Sequence, residues 1–222
     1  MDETYSYRDC IDEDIRAKFD FCEVRNAAAI ISSTSPLEWA DFIGVLKNFR
    51  LSPADILSEG GNKSDLAARL DEDFRTKCWR EGRVDTLIKL LVKISPYRKA
   101  GETKTSITES VVENEGYKVD NLKGRIALDV EWNAKDGNLD RDLGAYRSLY
   151  DAALIDAGVL ITRTQEDLRE LALRMNPAST KFATTTTTNL GKLRPRLTRG
   201  DAGGCPVLAV AITARCLDET AT

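Results

Sequence analysis

The stretch VDNLKGRIALDVEWN, residues 119–133, decides the fold. Arg125–Trp132 alternates in the period of a strand, which places Ile126, Leu128 and Val130 on one face. Asp129 and Glu131 then share the opposite face. Tyr117–Asp120 is a short strand candidate, and Lys123-Gly124 between the two is a turn signal. Two neighbouring strands joined by that turn bring Asp120 beside Asp129. Three carboxylates, Asp120, Asp129 and Glu131, then converge on one small volume. Like charges that close repel by roughly several kcal/mol at intermediate dielectric. The group therefore calls for a cation, a shifted pKa or an open, solvated arrangement. The plain alternative is the solvated face of an edge strand.

Working outward, the second half alternates strands and helices. Asp140–Ala157 has the pattern of an amphipathic helix, and Gly158–Thr162 is a short apolar strand. Thr164–Met175 is a further helix with Thr164 as cap, and Val207–Thr213 is a last buried strand. This order implies an α/β sheet. The first half is mainly helical. Asp12–Ile31 has helical spacing, Ser35-Pro36 and Ser52-Pro53 each start a helix, and Gly60-Gly61-Asn62 is a break. Asn62 or Ser64 can cap a helix from Asp65 to Trp79. Leu87–Ile94 is ambiguous between helix and strand. We read residues 1–222 as a single domain, with 1–80 mainly helical and 81–222 the catalytic α/β core.

Composition narrows the chemistry. The chain has 222 residues and no histidine. That excludes Ser-His-Asp and Cys-His mechanisms and nearly all zinc catalysis, which rely on imidazole. An enzyme of this composition must work with carboxylates and lysines, and carboxylates favour hard cations such as magnesium or manganese. The five scattered cysteines contain no CxxC pair and fit reduced thiols in a cytoplasmic protein. There is no apolar run long enough to span a membrane, and the acidic N-terminus is unlike a secretory signal. Net charge is −4, but it is unevenly spread. Residues 1–24 hold eight acids against three Lys/Arg, whereas residues 75–99 hold eight Lys/Arg against two acids. Residues 181–199 hold five Lys/Arg and no acid. Such patches neutralise phosphates on a protein that is acidic elsewhere.

Longer stretches carry a resemblance. Residues 119–163, the segments KFATTTTTNLGKLRPR (181–196) and GGCPVLAVAIT (203–213), and earlier RNAAAII (25–31), EWADFIGVLKNFRLSPADIL (38–57) and GGNKSDLAARL (60–70) resemble the BglII-like branch of type II restriction endonucleases, within the PD-(D/E)xK nuclease superfamily. The most specific part is EWN-x-KD-x-x-x-DRDL, Glu131 to Leu143. The resemblance implies an α/β restriction-endonuclease-like core, with a central mixed sheet flanked by helices, and Mg2+-dependent hydrolysis of double-stranded DNA at a short palindromic site, with Mn2+ able to substitute. Asp120 matches the first metal-binding aspartate of the superfamily motif, Asp129 the second acid, and Glu131 the third position. Asp129 departs from the glutamate usual in this branch. An additional upstream acid often helps hold the metal there, for which Glu109 and Glu113 are candidates. Lys135 is a secondary candidate for charge stabilisation, or else a surface lysine.

For DNA contact the candidates are Asn62, Lys63 and Ser64 after the Gly-Gly break, and Thr186, Thr187, Asn189, Lys192 and Arg194 in the basic, threonine-rich segment. Palindromic sites imply a homodimer. A DNA methyltransferase is the expected genetic partner. The competing reading keeps the fold but makes the chain a catalytically inactive or structure-selective DNA-binding protein.

Overall fold

A computed structural model describes residues 1–57, 65–184 and 186–220. Asn62, Lys63 and Ser64 lie outside the described residues. In chain order the elements are β1 (Glu3–Thr4), α1 (Tyr7–Cys10), α2 (Glu13–Arg16), β2 (Phe19–Val24), α3 (Ala27–Thr34), α4 (Pro36–Asn48), α5 (Pro53–Leu57) and α6 (Asp65–Thr76). They continue with β3 (Arg80–Ile94), β4 (Ser106–Lys123), β5 (Ile126–Val130), α7 (Gly137–Asp151), β6 (Ala157–Arg163), α8 (Glu166–Met175), α9 (Leu190–Arg199) and β7 (Val207–Ile212). Contacts divide the chain into two compact units, Met1–Gly82 with Val119–Thr222, and Arg83–Lys118.

The strand order is β1-β2-β7-β6-β5-β4-β3 in a mixed sheet. Strands β5, β6 and β7 are parallel, β2 is antiparallel to β7, and β4 is antiparallel to β5. Helices cover both faces in the larger unit, so every residue of β5, β6 and β7 is buried. Ile126, Leu128 and Val130 point into one core with Phe42 and Leu46 of α4, Phe74 of α6 and Leu168 of α8. On the other face α7 packs on β6, and α9 packs on β2 and β7. The alternation anticipated for β5 is therefore real, although both of its faces are covered.

Several elements differ from expectation. Asp12–Ile31 is not one helix. FDFCEV (Phe19–Val24) forms β2, because it adds to the edge of β7 in register from Phe19↔Ile212 to Val24↔Val207. Arg25 and Asn26 take positive φ (60° and 54°) to turn the chain into α3. Leu87–Ile94 is strand, as part of β3. The helix expected over Asp140–Ala157 starts at Gly137 and ends at Asp151, and Ala157 already belongs to β6. Thr164 does not cap α8, because its hydroxyl donates to the Ile212 carbonyl instead (3.2 Å). Half of the basic 181–199 segment is helix, α9, capped by Asn189, whose side chain accepts the Lys192 amide at 3.1 Å.

The smaller unit is a two-stranded ribbon from β3 and β4. Exposed ion pairs Arg83–Glu115 and Lys89–Glu109 link its strands. Glu109 and Glu113, the upstream acids considered above, both lie in this ribbon. Among the described residues no helix is long and apolar enough to cross a membrane.

Candidate active site

The β4–β5 turn builds the first half of the site. Lys123 pairs with Ile126 across a two-residue loop, and Gly124 takes the positive φ (54°) such a turn needs. Lys123 Nζ locks the turn by donating to Asp41 (2.7 Å) and to the Lys77 carbonyl (3.0 Å). Pairing runs back to Asn121↔Leu128, so the next residues outward are Asp120 and Asp129. Their contact is direct: the Asp120 amide donates to Asp129 Oδ1 at 2.8 Å. Asn121 fastens β4 to α6 by donating to the buried Asp71 (2.8 Å).

Glu131 lies one residue past the end of β5. Its amide donates to the Ile161 carbonyl (2.7 Å), which continues the ladder to β6. Its carbonyl accepts two buried hydroxyls, Thr162 (3.1 Å) and Thr188 (2.8 Å). The last threonine of the run is thus a strut for the site. The Thr188 amide donates to the Ala134 carbonyl, and the Asp136 amide to Thr186. The threonine segment is stitched along the loop that follows Glu131.

The second half of the site comes from α7. Asn138, Asp142 and Tyr146 stand four residues apart and share one helix face. Asn138 Nδ2 reaches both Glu131 oxygens at 3.4 Å. Asp142 lies against Glu131, and Tyr146 against Asp129. The Tyr146 hydroxyl donates to the Val159 carbonyl (2.7 Å). Gly158 permits this packing, because a Cβ there would overlap the Tyr146 ring. Arg141 braces the group with Nη2 2.9 Å from Asp142 Oδ1 and 3.7 Å from Glu131.

Four acids therefore gather where three were expected. Asp129 is 3% exposed, Glu131 3% and Asp142 1%, while Asp120 is half-buried. Burial pushes the Glu131 carboxyl up to about 7, despite hydrogen bonds from its neighbours. Asp129 and Asp142 are also raised, first by burial, then by the neighbouring charges: Asp142 acting on Asp129 and Glu131 acting on Asp142. In the sequence Asp142 is one acid of an amphipathic helix. Its signal was position: it falls within the buried stripe of Leu139, Leu143, Tyr146 and Leu149.

The remaining candidates are spread around this centre. Lys135 is exposed, and its backbone bridges Thr187. Thr186 is exposed, and the Thr187 hydroxyl accepts from the buried Arg163 (2.7 Å). Asn189 is buried at the start of α9. Lys192 Nζ donates to the Thr187 carbonyl (2.8 Å). Arg194 pairs with Glu3 (3.2 Å). Arg163 also holds Asn133 Oδ1 (2.8 Å) and lies 4.8 Å from the Phe182 ring, joining the threonine segment to the loop beyond Glu131.

The comparison that decides the family is a protein-family model, restriction endonuclease BglII/BglIII, which matches residues 19–212 of the 222. The chain belongs to this family of restriction endonucleases. The comparison with curated proteins gives no match. The sheet flanked by helices is consistent with the restriction-endonuclease-like fold, and membership makes the chain a nuclease that acts on DNA. The match covers β2 through β7, and with them every acid of the site.

Whether the site suits a cation is tested by its donors. Its acids offer hard oxygen ligands, and one of them, Asp142 Oδ2, is buried without a hydrogen-bond partner. Among the described residues no three His, Cys, Asp or Glu side chains are already closed into a metal-holding arrangement. Asp129 Oδ1 is turned onto the Asp120 amide, and Glu131 onto α7. Donor type and the unsatisfied oxygen fit a hard divalent ion.

Proposed function

We propose that this restriction endonuclease hydrolyses phosphodiester bonds of double-stranded DNA at a specific short palindrome, with Asp120, Asp129 and Glu131 as the catalytic acids. The observation that carries the reading is the burial of Asp129 and Glu131 at the end of β5, in contact with Asp120 and α7, within a match to the family. Buried acids held this close are costly unless a proton or a cation offsets their charge.

Asp120, Asp129 and Glu131 would hold a divalent cation, magnesium by preference with manganese able to substitute. Such an ion would supply positive charge at the scissile phosphate and acidity to water there. Glu131, pushed up to about 7, is suited to accept a proton from the attacking water near neutral pH. Asn138 and Arg141 hold its carboxylate in place, and the Thr162 and Thr188 hydroxyls fix its backbone. Exposed Lys135, four residues on, is positioned by its backbone bridge to Thr187 and offsets phosphate charge.

Thr186, Thr187, Asn189, Lys192 and Arg194, together with Asn62, Lys63 and Ser64, are the proposed DNA-contacting set. Of the first five, Thr186 and Arg194 are exposed, Arg194 having to leave Glu3 to meet a phosphate, whereas Thr187, Asn189 and Lys192 are tied into the loop by their own hydrogen bonds. The enzyme acts as a homodimer in the cytoplasm, with a methyltransferase protecting host DNA. The test is cleavage in magnesium by wild type, Asp129→Asn and Glu131→Ala. Both variants are expected to lose at least about a hundredfold in rate while still binding DNA. Undiminished cleavage by both would overturn the assignment.

A further inference from the structure

Asp142 is unused in the reading above, although it is the most deeply buried of the four acids. Its two oxygens face different surroundings. Oδ1 is held by Arg141 through Nε at 3.0 Å and Nη2 at 2.9 Å. Oδ2 is buried, and no donor reaches it. Its contact with Glu131 and the nearby charge of Asp129 place it among the acids of β5.

Two ionised carboxylates in contact inside a protein have acceptors on both sides and no donor between them. Removed from water, that arrangement is unfavourable unless a proton or a cation bridges it. Arg141 answers one charge, and its side chain remains 56% exposed. The scaffold does not let the acid swing away. Leu139 and Leu143 are fully buried on either side, and Tyr146, one turn on, is pinned to the Val159 carbonyl. An apolar or amide residue would serve helix packing equally well, so packing alone does not account for a carboxylate here.

We propose that Asp142 is a further ligand of the divalent-cation site, so that α7 closes a site whose other ligands stand on β4 and at the end of β5. The inference rests on the cation reading of Asp120, Asp129 and Glu131, and it deepens that reading by adding a fourth ligand from a different element. The orphaned oxygen is the group the ion would satisfy.

The test is direct Mn2+ binding to the full-length protein without DNA, by isothermal titration at pH 8, paired with melting temperatures with and without Mn2+. Asp142→Asn is expected to weaken Mn2+ binding by about tenfold or more. In metal-free protein it is expected to raise the melting temperature, because a buried charge is removed and the new amide can donate to Glu131. A merely structural role predicts the reverse pattern: unchanged Mn2+ affinity and a lower metal-free melting temperature, and that result overturns the inference. Loss of binding in Asp129→Asn alongside unchanged binding in Asp142→Asn rejects Asp142 while leaving the cation reading intact. A wild-type protein that binds no Mn2+ rejects both. If Asp142→Asn does not fold, Asp142→Glu replaces it, since it keeps the charge but moves it by one methylene. Altered affinity in that variant supports the assignment, and unaltered affinity overturns it.

Discussion

The carboxyl groups behave differently here from exposed acids, and pH dependence follows from their burial. Glu131 moves from its ordinary 4.5 to about 7 in the folded chain. Between those values the folded state holds this proton more tightly than the unfolded state does. Its contribution to stability is therefore complete below about pH 4.5 and is lost as pH rises through about 7. Asp129 and Asp142 shift in the same direction and extend the loss. The metal-free protein should thus melt at lower temperature at pH 8 than at pH 5.5, and Mn2+ or Mg2+ should recover the difference at pH 8. Melting curves that are flat across this range would show that the acids are not buried as described. Asp129→Asn should be more stable than wild type without metal, by the same logic, because an amide carries no buried charge and still accepts the Asp120 amide through its oxygen. A lower melting temperature for that variant would count against burial of an ionised acid at this position.

At the scale of elements, two contacts hold the acids in register, and each predicts a variant. Gly158 on β6 lets α7 lie close, and Gly158→Ala must displace the Tyr146 ring that lies against Asp129. Cleavage should fall more than stability does, and an unaffected rate would show that the α7 face plays no part. Thr188→Val removes one hydroxyl from the Glu131 carbonyl while keeping the shape of the side chain. It should cost about 1 kcal/mol of stability, measured by urea unfolding, and loosen the Glu131 loop. A cost near zero would place Thr188 outside the strut. These elements were not equally legible. The β4–β5 turn and the strand carrying Asp129 could be read because alternation, Lys-Gly and local pairing are all encoded within fifteen residues. β2 could not, because what makes FDFCEV a strand is an edge of β7 almost two hundred residues away. Asp142 was hidden for a similar reason: an acid in an amphipathic stripe acquires meaning only when the facing strand is known. The threonine run showed its polarity in the sequence but not its pairing with the 134–136 backbone.

At the scale of the whole molecule, an acidic protein must bind a polyanion through segregated charge. Net charge is −4, yet residues 181–199 carry five cations and no acid. DNA affinity of the Asp129→Asn variant should therefore fall linearly with the logarithm of salt concentration. Anisotropy of a labelled duplex measures this, and affinity indifferent to salt would contradict phosphate contact by these patches. Arg194→Ala should weaken binding to all sequences alike if its contact is to phosphate, whereas a loss confined to one sequence would make it a base contact. One gel separates metal-dependent cleavage through Asp129 from every alternative. Long bacteriophage DNA is incubated with wild type and with Asp129→Asn, in magnesium and in magnesium with excess EDTA. Wild type should give discrete fragments in magnesium alone, with intact DNA in the other three lanes. A smear, fragments that persist in EDTA, or fragments from Asp129→Asn would contradict site-specific, cation-dependent cleavage through Asp129.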